Sequence, residues 1–277
     1  MSGTNPHRDL DEAATATGER LVSLLHHPSA EVVIALLDNP ALDEIQLTLL
    51  LERKNLPAEV LEEIARRKSL LKSYRVKRAL AFHPRTHRLV SLRLVRELYL
   101  MDLVQLTLLP GIPAELKRSA EDQLLARLPQ LPLGQKITLA RRGPARVAGA
   151  LLAEGHAQIL NVVLDNGLLT EAQVLRALSQ EKLPLAVIPA VTRHHKWAFM
   201  YNVRLALVRH PGTPLATVLA YLPELTVSDL RVLAEPGIVP ENLRKYLQAE
   251  VQRRIRAGEK KAMREEPGSP PAASNDN

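Results

Sequence analysis

The chain contains no cysteine, and this absence excludes several kinds of site at once. Disulfides, thiolate zinc sites, iron–sulfur clusters and cysteine nucleophiles all require that residue. Aromatic residues are also scarce: they make up 3% of the chain, with two phenylalanines and one tryptophan. We therefore predict a core of leucine, valine, alanine and isoleucine, a composition that suits thin layers of short helices.

Long hydrophobic runs are missing as well. A membrane-spanning helix needs about 20 apolar residues, and Glu154, Asp165 or a proline interrupts each candidate segment. The first 19 residues carry four acidic side chains and lack the apolar stretch of a secretory signal. We expect a cytoplasmic protein without a membrane span.

Signatures of common enzymes are absent too. The chain has no Walker A phosphate loop, no GxGxxG dinucleotide loop, no HExxH zinc motif and no GxSxG nucleophile elbow. We predict no catalytic residues and no cofactor. An acid–base enzyme whose residues converge only in the fold is a further alternative, and it would need a deep pocket containing a buried aspartate or histidine.

Histidines are the remaining candidates for metal ligands. The nine histidines include two adjacent pairs and one i,i+4 pair: His26 with His27, His194 with His195, and His83 with His87. Adjacent residues of a helix point about 100° apart, so neither adjacent pair is expected to chelate one ion. Pro84 places His83 ahead of the following helix. We predict no metal site and expect these histidines at helix ends, bonded to terminal carbonyls.

The main positive feature is an internal repeat. When the sequence is shifted by 127 positions, residues 79–127 match residues 206–254 at 14 of 49 positions. The matches include a shared His-Pro-x-Thr, followed at fixed distances by Glu-Leu and Asp-Leu. Such a repeat indicates a stacked array of helical hairpins. Its short helices must depend on their neighbours for stability.

The boundaries of the array follow from composition. Apolar helical segments alternate with short breaks from Gly18 to Ala257, and we predict a single α-solenoid domain over residues 18–257. Residues 1–17 are polar and without periodicity, which predicts a flexible N-terminal tail. Residues 258–277 have the charged, proline-rich and serine-rich composition of a disordered C-terminal tail.

X-Pro steps separate several helical segments: Asn39-Pro40, His83-Pro84, Gly143-Pro144 and His210-Pro211. The last step continues as His-Pro-Gly-Thr-Pro over 210–214, followed by the apolar run Leu-Ala-Thr-Val-Leu over 215–219. This segment resembles the leucine-rich-repeat variant family, whose units open with Asn-Pro-x-Thr-Pro and then an apolar helix. Residues 37–42 and 81–86 look like weaker copies. The resemblance implies an all-α, right-handed superhelical solenoid of short antiparallel helices, of this type or of the HEAT-like type that it adjoins.

Charge is unevenly distributed along the chain. The formal net charge is +7, yet residues 1–64 carry a net −8 and residues 65–277 a net +15. Such polarity steers association with an acidic partner or permits head-to-tail self-association. Three basic clusters are the candidate partner surface: Arg66, Arg67, Lys72, Arg75 and Arg78; Arg141, Arg142 and Arg146; and Arg193, Lys196 and Trp197.

These clusters have two interpretations. If they share one face, the face could follow a phosphate backbone or an acidic protein. Alternatively, they form the solvated face of a solenoid, with aliphatic stems that cover apolar surface. Trp197 recurs at helical spacing with Leu205 and Val208 on a predicted helix over 197–209, which favours a buried ring over a stacking platform.

We therefore expect a non-enzymatic binding scaffold that presents a helical surface to a protein partner. The alternative is nucleic-acid binding through the basic part after residue 64. HEAT-like proteins include DNA-binding alkylpurine glycosylases, so the resemblance extends to a glycosylase-like activity. Those enzymes recognise a damaged base with aromatic residues, whereas this chain has one tryptophan.

Overall fold

The computed structural model describes residues 6–265. All regular secondary structure in this range is helical, which confirms the all-α class. Contacts divide the chain into two compact units, Met1–Val147 (unit 1) and Ala148–Asn277 (unit 2), where the sequence predicted a single domain. Within residues 6–265, no helix combines the length and the apolar character needed to cross a membrane.

Unit 1 holds ten helices within its described residues: α1 (Pro6–Ala13), α2 (Gly18–Leu25), α3 (Ala30–Leu36), α4 (Glu44–Leu51), α5 (Ala58–Arg66), α6 (Tyr74–Phe82), α7 (Arg88–Val95), α8 (Leu100–Leu108), α9 (Ala114–Arg127) and α10 (Leu133–Arg142). Helix α11 (Ala145–Glu154) begins in unit 1 and ends in unit 2. Short 3-10 segments follow α5 at Leu70–Lys72 and α9 at Leu128–Gln130.

Unit 2 continues with seven further helices: α12 (Ala157–Leu164), α13 (Glu171–Leu178), α14 (Val187–Arg193), α15 (Tyr201–Arg209), α16 (Leu215–Tyr221), α17 (Val227–Leu233) and α18 (Glu241–Glu265). Its 3-10 segments are Trp197–Phe199 and Leu222–Glu224. The predicted helix over 197–209 is therefore a 3-10 turn followed by α15.

Both predicted tails differ from the structure near their inner ends. Helix α1 lies within the segment predicted to be a flexible tail, because it packs on α2 and α3 and buries Asp9 and Ala13. Arg20 forms an ion pair with the buried carboxylate of Asp9. At the other end α18 continues to Glu265, and residues 1–5 and 266–277 of the two predicted tails lie outside the described residues.

The internal repeat extends over the whole described chain. Helices α1–α9 (the first copy) recur as α10–α18 (the second copy), and eight of the nine begin 127 residues later. Only α14 departs, because it begins two residues after the position that corresponds to the start of α5. The 3-10 segments at 70–72 and 197–199 obey the same offset. The sequence comparison had detected only the part of the repeat from α6 to α9.

Polar contacts repeat at the same offset as the helices. The Tyr74 hydroxyl donates to Asp102 and accepts from the Tyr99 N–H at 2.8 Å. In the second copy, the Tyr201 hydroxyl donates to Asp229 and accepts from the N–H of residue 226 at 3.0 Å. Tyr74 therefore links α6 to the start of α8, and Tyr201 links α15 to the start of α17.

Ion pairs repeat in the same way. Lys77 pairs with Glu97 at 2.5 Å, and Arg204 lies 3.4 Å from Glu224 at the corresponding positions. Because each pair keeps its charges although the basic residue has changed from lysine to arginine, the contact itself is maintained in both copies.

Side chains also donate to backbone carbonyls at helix ends and in the turns that follow them. Arg127 donates to the Leu98 carbonyl at 2.7 Å, and its counterpart Arg254 donates to the Leu225 carbonyl at 2.6 Å. Similar donors reach back between 23 and 33 residues: Asn39 to Ala13 and Ala16, Arg53 to Leu25 and His27, Arg85 to Asn55 and Leu56, and Trp197 to Leu164. The last carbonyls of a helix need such partners, and these side chains supply them from a later hairpin.

Helices also pack against neighbours that are close in sequence. In unit 1, contacts join helices two apart, as in α2 with α4, α3 with α5, α4 with α6, and α7 with α9. In unit 2, α12 contacts α14 and α13 contacts α15. The buried side chains are mostly leucine, valine and alanine, as the composition predicted.

Trp197 provides a test of these helix-end contacts. The ring is fully buried and its Nε1–H donates to the Leu164 carbonyl at 2.8 Å. We expect Trp197→Phe to lower the free energy of unfolding by about 1–3 kcal/mol, since a buried carbonyl loses its donor. Urea unfolding followed by circular dichroism measures the change. Phe199→Leu is the control because Phe199 is 71% exposed, and equal losses in both variants would contradict this role for the indole N–H.

Candidate functional site

Arg67, in the first basic cluster, serves the fold. Its guanidinium donates to Asp38 at 2.6 Å and to Glu63 at 2.9 Å, and only 20% of its side chain is exposed. The hydrogen bond to Asp38 is the main cause that raises the pKa of Arg67. This arginine connects the end of α5 to the turn after α3, and it has little surface to offer a partner.

Arg75 and Arg78 lie on α6 and are also engaged. The Arg75 Nε lies 3.5 Å from a Glu44 carboxylate oxygen. Arg78 donates to Asp102 at 2.6 Å, and its guanidinium lies 4.9 Å from the centroid of the Phe82 ring. Arg78 therefore belongs to the network that Tyr74 and Asp102 form between α6 and α8.

Arg66 and Lys72 are the exposed members of this cluster. Arg66 is 74% exposed and lies 3.7 Å from Glu62, a distance that indicates a loose surface pair. Lys72 is exposed, and its side chain makes no hydrogen bond or ion pair with another described residue.

Arg66 forms one edge of a groove of about 660 Å³ in unit 1. The groove runs between α5 and α7, and its charged or titratable lining residues are Glu62, Arg66, Lys68, Lys77, His87, Arg93 and Glu97. The four Lys and Arg side chains outnumber the two carboxylates. In this groove a sequence-predicted basic residue, Arg66, lines a concave surface.

The charges in the groove are not equally free. Lys77 is neutralised by Glu97 at 2.5 Å. Lys68 is exposed and has no ionic partner among the described residues, while Arg93 makes one long contact of 3.4 Å to the Ala65 carbonyl. An anion could therefore bind Lys68 and Arg93 without breaking an existing ion pair.

Arg93 and His87 were missed by the sequence analysis. Neither residue lies in a run of basic residues, and both reach the groove because α7 folds back beside α5. The His87 ring is exposed, and its Nδ1 accepts from the Leu89 N–H at 3.4 Å. A search for clusters along the chain has no signal for residues that are brought together by a hairpin.

The second basic cluster does not line this groove. Arg146 is held between Glu121 and Asp122, at 2.9 Å from each. Arg141 and Arg142 lie at the exposed end of α10 and have no ionic partner among the described residues. This cluster therefore offers two exposed arginines at a helix end, and neither lines the basic groove of unit 1.

In the third cluster the tryptophan is part of the core. Its buried ring confirms the prediction of burial over a stacking role. The Lys196 ammonium lies 4.1 Å from the ring centroid and covers its outer face. Arg193 is exposed at the end of α14 without an ionic partner among the described residues.

Next to this cluster, Asp165, His194 and His195 place one potential ligand atom each within 4.8 Å of the others. The histidines do not diverge as expected for neighbours on a helix, because α14 ends at Arg193 and His194 is already extended. Their rings stack with centroids 4.4 Å apart. The geometric reason given for excluding this pair was therefore wrong.

The hydrogen bonds of His194 nevertheless favour a hydrogen bond to Asp165 over a metal site. Its Nδ1 accepts from the Lys196 N–H at 3.2 Å, so the proton of the neutral ring is on Nε2, which lies 3.1 Å from Asp165. A metal at Nε2 would require moving that proton and breaking the Lys196 contact. In the first copy, Asp38 and Arg67 form an ion pair at the same two positions. The absence of a metal site stays a prediction, as does the absence of catalytic residues.

The network around Tyr74 makes a prediction for alkaline pH. Burial and the hydrogen bond to Asp102 raise the pKa of Tyr74 from 10.0 to about 12. The stabilisation from the neutral hydroxyl is therefore complete below pH 10.0 and is lost as the pH rises towards about 12. In an ultraviolet titration of tyrosinate, Tyr74→Phe should remove the latest step and Asp102→Asn should shift it to lower pH. Identical titrations for the wild type and Asp102→Asn would contradict this assignment.

Comparison of the chain with family models, with curated proteins and with solved structures returns no match.

Proposed function

We propose that this chain is a non-enzymatic binding scaffold, an α-solenoid of HEAT-like or leucine-rich-repeat-variant type whose surface engages a protein partner. The two copies of nine helices support this proposal, as do the contacts between helices two apart in each unit. Short helices stacked in this manner bury a continuous core and leave long surfaces for binding. A right-handed superhelix is the form that we propose for the array.

The basic groove between α5 and α7 is the proposed partner site, and it carries the proposal. Lys68 and Arg93 project charge that no carboxylate neutralises within the described residues. An arginine and a lysine across a groove fit the carboxylates of an acidic protein segment, since guanidinium binds carboxylates through two parallel hydrogen bonds. We infer an acidic segment of a protein as the occupant.

Nucleic-acid binding is the second candidate, and it fits these residues less well. The residues that line the groove include no phenylalanine, tyrosine or tryptophan on which a base could stack. The Trp197 ring is buried, so it offers no face for stacking with a base. A glycosylase-like activity, which would need aromatic recognition of a flipped base, has no support from the position of this residue.

A charge-reversal experiment tests the groove. We expect Lys68→Glu with Arg93→Glu to weaken binding of a short fluorescein-labelled polyglutamate peptide by about tenfold or more, equivalent to about 1.4 kcal/mol. Fluorescence anisotropy at physiological ionic strength measures the affinity. The expected loss arises because each reversal replaces an attraction by a repulsion at close range.

Arg141→Glu with Arg142→Glu is the matched control, since it changes the net charge equally on exposed arginines outside the groove. This control should bind the peptide within about twofold of the wild type. Equal weakening in both double variants would mean that the net charge alone attracts the peptide. Tighter binding of a DNA duplex than of the peptide, with a steep salt dependence, would favour the nucleic-acid alternative.

A further inference from the structure

The two copies differ in the region between α4 and α6 and in the corresponding region between α13 and α15. In unit 1, arginines occupy this region: Arg53 donates to the carbonyls of Leu25 and His27, and Arg78 covers Phe82 while it pairs with Asp102. The corresponding residues of unit 2 are Gln180, Leu205 and Arg209, in place of Arg53, Arg78 and Phe82.

These replacements accompany a groove of about 640 Å³ in unit 2. Its apolar lining comes from α13 and α15 and the turn after α15: Leu175, Leu178, Leu205, Ala206 and Pro211. Leu205 is partly buried and packs on the hydrophobic core of unit 2, so the floor of the groove is continuous with that core. An apolar group bound in the groove would remove the surface of these leucine side chains from contact with water, which is favourable.

The rim of this groove carries one charge of each sign. Arg209 and Glu181 are both exposed, and neither side chain makes a hydrogen bond or a close ion pair with another described residue. The other polar groups are already engaged: Asn202 donates to Glu171 at 3.0 Å, and the His210 Nδ1 accepts from the Gly212 N–H at 3.0 Å. Burial lowers the pKa of His210, so its ring is neutral at pH 7.

We propose that the groove between α13 and α15 is a second docking site, which binds a short apolar segment of a protein partner. Leucine-like side chains of the segment contact Leu175, Leu178 and Leu205, a carboxylate pairs with Arg209, and a basic group pairs with Glu181. The need for both charges beside apolar side chains selects a protein segment, because a nucleic acid or a fatty acid supplies no cation. The site is chemically distinct from the basic groove of unit 1 and does not depend on it.

Selection of random peptides displayed on phage, with the full chain as target, provides the probe. We expect enriched peptides in which apolar residues stand beside an acidic and a basic residue. The most enriched peptide is then synthesised and titrated against the wild type, Leu205→Arg and Arg209→Glu. Both variants should weaken binding by about tenfold or more.

These variants are chosen to leave the fold intact. The first copy already has Arg78 at the position of Leu205, and the partner of Arg78, Asp102, corresponds to Asp229 in unit 2. The Arg209 side chain is exposed and makes no hydrogen bond or close ion pair. The pKa of Asp229 is lowered mainly by hydrogen bonds from Tyr201 and Thr226 and also by the charge of Arg209, so the reversal removes that one attraction. Thermal unfolding checks both variants, with Leu219→Arg and Arg193→Glu as matched controls outside the groove that should bind as the wild type does.

A complementary change gives the most specific test. A peptide whose acidic residue is replaced by lysine should bind Arg209→Glu better than it binds the wild type. The Lys68→Glu, Arg93→Glu chain should bind the original peptide unchanged, so failure of the basic groove and failure of this site are distinguishable. The proposal is overturned if no peptide is enriched, if Leu205→Arg binds as the wild type does, or if the reversed peptide recovers nothing. Dimerisation that Leu205→Arg abolishes would also overturn it, because the occupant would then be a second copy of the chain.

Discussion

The backbone carbonyls at the ends of short helices constrain this structure most. Most of its helices have seven to ten residues, so the terminal carbonyls are a large fraction of all backbone acceptors. Side chains such as Arg127, Arg254 and Trp197 donate to carbonyls of an earlier hairpin. These contacts connect residues about one hairpin apart, and they fix how one helix pair lies on the one before it.

The same constraint accounts for the grooves. A groove forms where the side chain that would cover two neighbouring helices is short or points elsewhere. In unit 2, Arg204 lies 5.4 Å from the Phe199 ring and 5.5 Å from the Tyr221 ring, and it corresponds to Lys77, which lines the basic groove of unit 1. Conversely, Arg78 covers the region of unit 1 that is an apolar groove in unit 2. The copies thus share their fold-stabilising contacts and differ in the surface that each leaves uncovered.

Features that depend on local sequence could be predicted, whereas features that depend on tertiary contacts could not. The helical class, the offset of 127 residues and the burial of Trp197 were predictable because periodicity and repetition are local properties of the sequence. Helix α1 was not predicted, since most of its eight residues are polar and the helix is stabilised by packing on α2 and α3. The basic groove was half predicted: Arg66 lies in a visible cluster, whereas Arg93 joins it only through the fold. Arg67 belongs to the same cluster in the sequence, but in the structure it forms ion pairs with Asp38 and Glu63.

We propose that a protein segment binds in the groove between α5 and α7. Hydrogen–deuterium exchange of the full chain, with and without the polyglutamate peptide, measures this binding segment by segment. We expect slower exchange in α5, in α7 and in the 3-10 turn between α5 and α6, because these segments line the basic groove. Protection spread evenly over the basic part of the chain, or confined to α10 with its exposed Arg141 and Arg142, would contradict it.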